Sequence, residues 1–130
     1  MTKVIEQLAS VVDHVSIICD VSPPRGGEAS LLSDTASLDA DFISIAYYPG
    51  LSVRVNSAMT AAWIKSQTAR EVLFTIATRD MNKLAIQNHL LGASLLGLDN
   101  VIVLMGDTFT EGDPVTVKNV SDFTSSELIS

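Results

Sequence analysis

Four short apolar runs recur along the chain: HVSIICD at residues 14–20, DFISIAY at 41–47, EVLFTIA at 71–77 and NVIVLM at 100–105. Their starts are roughly 30 residues apart, the length of a strand, a crossover helix and the return to the next strand. The runs are rich in β-branched residues and nearly continuous rather than alternating. Parallel strands buried on both faces read that way. Helix signals lie around them, over residues 3–12 and 57–67, and weakly over 30–37. The strongest is MNKLAIQNHLLGASLL at 81–96, which Asp80 is expected to cap and Gly97 to close. The order is that of an α/β chain with a parallel sheet. An open doubly wound sheet and a TIM-type β/α barrel both satisfy it, and both gather functional groups at the strand C-terminal ends. No Gly-x-Gly-x-x-Gly follows the first strand, which argues against a dinucleotide-binding domain.

Composition narrows the partners. The chain has 130 residues, 47% of them hydrophobic, enough for one domain with a core. Eight Lys and Arg stand against 15 Asp and Glu, for a net charge of −7. That balance argues against nucleic acid and against anionic membrane surfaces. No run approaches the ~18 apolar residues of a membrane span. A single cysteine, Cys19, excludes an internal disulfide, and the first residues lack a signal-peptide pattern, so a cytoplasmic protein is expected. Near the end, Thr124-Ser-Ser-Glu127 is a capping box that announces a helix, yet only three residues follow. The expectation is one domain over 1–130, truncated or completed by a partner.

Each strand ends in a distinct set of groups. The first ends in Asp20, and Pro23 and Pro24 stop it because neither can donate to a ladder. Arg25 is expected to fix that turn. The second ends in Ala46, Tyr47 and Tyr48, the third in Thr75, Thr78, Arg79 and Asp80, the fourth in Leu104, Met105, Gly106 and Asp107. Asp20 and Asp107 would face one mouth, where burial of one carboxylate and ionisation of the other would suit acid chemistry. Arg79 and Asp80 read as an exposed ion pair next to a helix cap. Cys19 and Trp63 read as packing. His14 and His89 have no companions at ligand spacing, so no metal is expected.

Four stretches, in order and at the right strand ends, resemble the methylenetetrahydrofolate reductase family, in its form fused to a homocysteine methyltransferase domain. They are DVSPPRG at 20–26, ATRDMNKLAIQNHLLGASLLGLDNV at 77–101, LMGD at 104–107 and GDPVTVKNVSDFTSSELIS at 112–130. The resemblance spans residues 17–130 and selects the TIM-type barrel, of which it implies this chain is the N-terminal half, about four βα units. It implies FAD as the bound carrier, NAD(P)H as hydride donor and a folate substrate, 5,10-methylenetetrahydrofolate, reduced to the 5-methyl form. It implies Asp20 as the catalytic acid that helps open the folate ring, where the family has a glutamate one methylene longer. It implies Asp107 as a substrate-binding group near the flavin, with Ala46, Thr75, Leu104, Met105 and Gly106 lining the cofactor. Thr75 stands where the family usually has a histidine, and Ala77-Thr78 where it has Thr-Cys. The expected partners are a second copy of the chain or the remaining barrel half. The rival reading is a non-catalytic half-barrel that binds flavin or folate, or a subunit of a larger assembly.

Overall fold

The computed structural model describes residues 3–10, 13, 15–113 and 117–130. Its elements run α1 (Val4–Ser10), β1 (Ile18–Val21), β2 (Phe42–Ile45), α2 (Ser57–Gln67), β3 (Glu71–Ala77), α3 (Lys83–Leu95), β4 (Asn100–Leu104) and α4 (Ser125–Ile129). The four strands form one sheet in the order β1-β2-β3-β4, and every neighbouring pair is parallel. This is the sequential parallel sheet of a partial TIM-type barrel, as expected.

The register sorts the strand residues onto two faces. Ile43 pairs with Val72, and Ile45 with Phe74, which pairs with Val101. This face carries the main core: Ile43, Ile45, Val72, Phe74 and Ile76 pack on Ala58, Ala61 and Ile64 of α2 and on Ala93 and Leu98. Burying each large side chain of this kind stabilises the fold by about 1.5–3 kcal/mol. On the opposite face, Val4 of α1 packs on Phe42 and Leu73, with Ile102 beside them. The Val4 amide also donates to Asn100 Oδ1 at 2.9 Å. So α1 closes the N-terminal end of this inner face and leaves the C-terminal end clear.

Several boundaries differ from the sequence reading, for local reasons. β1 begins at Ile18, because sheet pairing starts where the Asp41 and Phe42 amides reach the Ile17 carbonyl, at 3.0 and 3.2 Å. Val11, Val12 and His14 lie outside the described residues. The segment 30–37 is two 3-10 turns, Ala29–Leu32 and Thr35–Ser37. The Pro-Pro turn is held by Arg54, whose Nη1 donates to the Pro23 carbonyl at 2.8 Å, and by the Val55 amide on the Pro24 carbonyl at 2.9 Å. Arg25, expected there, is exposed. Asn82 caps α3, its Oδ1 accepting from the Ala85 amide at 2.9 Å; Asp80, the expected cap, is engaged by Arg79. The other end is as read. Gly97, at φ +74°, closes α3 with the Leu98 amide on the Ala93 carbonyl and the Gly97 amide on the Ser94 carbonyl. The capping box of Thr124 and Glu127 forms at the start of α4.

Candidate functional site

The C-terminal ends of the strands present four exits. At the first, Asp20 shares a face with Ser44 by direct pairing, and the Ser44 hydroxyl donates to Asp20 Oδ1 at 2.5 Å. Asp20 is exposed, while Ser44 is buried and so fixes the carboxylate from below. The second exit follows Ala46, whose amide bonds the Val21 carbonyl at 3.0 Å. The chain then turns tightly, with Tyr48 at φ +38°, Gly50 at +66° and Leu51 at +52°. Left-handed backbone costs a non-glycine residue about 1–2 kcal/mol, so this turn is held by its surroundings rather than by local preference. It brings Tyr47 and Tyr48 together, their rings tilted by 59° with centroids 4.5 Å apart.

The third and fourth exits interlock. Arg79 is buried, 6% exposed. Its guanidinium makes a two-pronged pair with Asp80, Nε to Oδ1 at 2.6 Å and Nη2 to Oδ2 at 2.7 Å. Its Nη1 donates to the Asp107 carbonyl at 2.7 Å, and the group lies 4.1 Å over the ring of Phe109. Gly106 takes φ +86°, and a Cβ there would meet Arg79 Cβ at 3.2 Å and Ala77 Cβ at 3.3 Å, so only glycine passes. Burial pushes the Tyr47 phenol well above the ordinary tyrosine range, and its hydrogen bond to Asp80 adds to this. Burial also works to raise Asp80. Hydrogen bonds with Arg79 and Tyr47 and the guanidinium charge outweigh it and hold this carboxyl below the usual range.

A cavity of about 390 Å³ opens between the second and fourth exits. Leu104, Met105, Gly106 and Asp107 form one wall, Tyr47 and Tyr48 the other, and Ala77 and Arg79 the floor. A second cleft of about 450 Å³ shares Tyr47, Tyr48 and Arg79, and reaches Asn56, Phe109 and Lys118.

The structure gathers some of the expected site residues and not others. The four residues of LMGD line one cavity, with both tyrosines. Leu104 and Met105 are 47% and 55% exposed, an apolar ledge open at the mouth. Ala46 is half-buried, and Thr75 is 4% exposed, beneath the floor. Asp20 stands on β1 and Asp107 beyond β4, so three interstrand steps of about 4.8 Å separate them along the sheet. Both are exposed, and the burial of one carboxylate beside an ionised other is not observed. Arg79 and Asp80 were expected on the surface and instead knit the third exit to the fourth. Phe109 and Ser44 went unnoticed. A serine interrupting the apolar run at 41–47 was the available signal for Ser44.

The ledge of Leu104 and Met105, the open backbone at Gly106 and the facing tyrosines fit the planar ring of a flavin or pterin. For the phosphates of a dinucleotide the cavity offers little, because Arg79, the cation in its floor, is taken up by Asp80 and the Asp107 carbonyl. Among the described residues no helix is long and apolar enough to cross a membrane. The family model described as methylenetetrahydrofolate reductase matches residues 4–130. None of the curated proteins gives a significant match.

Proposed function

Because this chain belongs to the methylenetetrahydrofolate reductase family, we propose that its strand-end cleft serves the reduction of 5,10-methylenetetrahydrofolate to 5-methyltetrahydrofolate with FAD and NAD(P)H. One observation carries the reading: the fourth strand delivers Leu104, Met105, Gly106 and Asp107 together into one cavity faced by two tyrosines. FAD, when bound, supplies the hydride transfer. Leu104, Met105 and Gly106 would hold its ring, with Ala46 and Thr75 in the strands behind. Asp107 would accept hydrogen bonds from the N–H groups of the folate pterin. Asp20, aligned by the Ser44 hydroxyl, would give its proton to the folate ring nitrogen as the C–N bond opens, and so expose an electrophilic carbon. The protein's contribution is position and proton, not the redox chemistry itself.

We further propose a protein close to the form fused to a homocysteine methyltransferase, on the strength of the four stretches at 20–26, 77–101, 104–107 and 112–130, and, from its single cysteine, a cytoplasmic one. Its partner is a second copy or the complementary half of the barrel. The short Asp20 side chain and Thr75 in the place of the family's histidine favour a second reading, a half-barrel that binds flavin or folate without turnover.

Substitution at Asp20 separates the two, in protein whose sheet is completed by the complementary half. Asp20→Asn removes the proton and is expected to cut formation of 5-methyltetrahydrofolate by about 100-fold or more. Asp20→Glu restores the missing methylene and is expected to raise it, since a misplacement of about 1 Å can cost 100-fold. Flavin-loaded protein indifferent to both changes contradicts the role given to Asp20.

A further inference from the structure

We propose that Arg79 is the positioning residue for Asp107: it fixes where the fourth exit places that carboxylate in the cleft. The inference rests on the reading above for what Asp107 binds, but not for the mechanics.

The mechanics follow from the contacts of one residue. The Arg79 amide donates to the Met105 carbonyl at 3.0 Å, and the Arg79 carbonyl accepts from the Val120 amide at 2.7 Å. Its Nη1 holds the Asp107 carbonyl, and its guanidinium plane lies over Phe109. At Gly106 an added Cβ would meet Arg79 Cβ at 3.2 Å and Cζ at 3.4 Å, so the chain passes there without a side chain. The loop after β4 is therefore fastened to residue 79 at four places, its side chain holding Asp107 and Phe109 and its main chain Met105 and Val120. Among the described residues, Asp107 has no other hydrogen bond, and its carboxylate is free for a ligand. A buried cation needs a counter-charge, and Asp80 provides it through both oxygens. The planar fork of a guanidinium meets Asp80 and the carbonyl together, which the single point of a lysine ammonium does not. Arg79 forms part of the cleft floor with its guanidinium engaged by Asp80 and the Asp107 carbonyl, so its polar influence on the cleft runs through Asp107, and Asp80 acts through Arg79.

The test uses the chain completed by the complementary barrel half, in wild type and as Arg79→Gln, Arg79→Lys and, should the glutamine variant fail to fold, Asp80→Asn, which keeps the guanidinium but removes its counter-charge. Hydrogen exchange is read at the Val120 amide and, as control, at Ile43 and Val72 in the sheet. Binding is titrated with 5-methyltetrahydrofolate in wild type, Arg79→Gln, Asp107→Asn and the double variant. The expected result is exchange at Val120 faster by about tenfold with the sheet amides unchanged. Arg79→Gln weakens binding about tenfold, but adds nothing in the Asp107→Asn background, as a shared pathway requires. Arg79→Lys recovers only part of both. Unchanged exchange at Val120, equal acceleration throughout the sheet, or additive losses in the double variant overturns the proposal. Loosened exchange at Val120 in a chain that binds no 5-methyltetrahydrofolate would uphold the mechanical role and discard the folate reading.

Discussion

His89 shows how one residue couples this core to pH. It sits on α3 against Phe74, ring centroids 5.9 Å apart, and its Nε2 is buried with no hydrogen-bond partner among the described residues. Burial lowers its pKa below the ordinary 6.5. The unfolded chain therefore takes up this proton before the folded one does. The contribution of His89 is complete above the ordinary histidine range and is lost as the pH falls below it. Urea unfolding is expected to show wild type losing stability between pH 7 and pH 5, and His89→Leu losing distinctly less. Equal losses would mean that the imidazole is solvated. Asp80 is also held low, its burial outweighed by its hydrogen bonds with Arg79 and Tyr47, so its contribution has the same sign but survives until the pH falls through the carboxylate range. The two therefore act in separate pH windows.

At the scale of elements, helix boundaries discriminate between what was legible and what was not. Asn82→Ala is expected to cost about 1 kcal/mol through loss of the α3 cap, and Gly97→Ala a similar amount through its left-handed φ. Thermal unfolding of the two variants checks this, and an unaffected Asn82→Ala would return the cap to Asp80. Strand β3 and helix α2 match their expected bounds because both are fixed locally, by a continuous apolar run and by a cap. The cap of α3 was misread because Asp80 and Asn82 both suit the position, and only the buried Arg79 decides between them. The same limit applies to the site. The LMGD wall was readable, since a glycine and an acid directly after a buried strand have little other use. The floor was not, because burial of Arg79 depends on Phe109, 30 positions along the chain. Likewise Asp20 was readable but its orienting Ser44 was not, because that contact is a matter of register.

At the scale of the whole molecule, the sheet is open. β1 and β4 carry no further partner strand among the described residues, and strand edges of this kind are templates for pairing. The outer face of α3 adds Leu84, Leu91 and Leu95, 75%, 75% and 88% exposed. One turn repeats onto the next there, so the three form a stripe. Apolar surface and free edges together favour association. Sedimentation at micromolar concentration is expected to show dimers or larger species, or a complex with the complementary half of the barrel. A monodisperse monomer that unfolds cooperatively would contradict this.

The cleft between the second and fourth exits is proposed to be that of a folate reductase. The most direct test is product analysis: the protein, alone and with the complementary barrel half, is supplied with FAD, NAD(P)H and 5,10-methylenetetrahydrofolate, and 5-methyltetrahydrofolate is measured. Product is expected from the completed barrel, with a loss of product on Asp107→Asn. Bound flavin with no product, or product indifferent to Asp107, would contradict this reading and leave a binding half-barrel in its place.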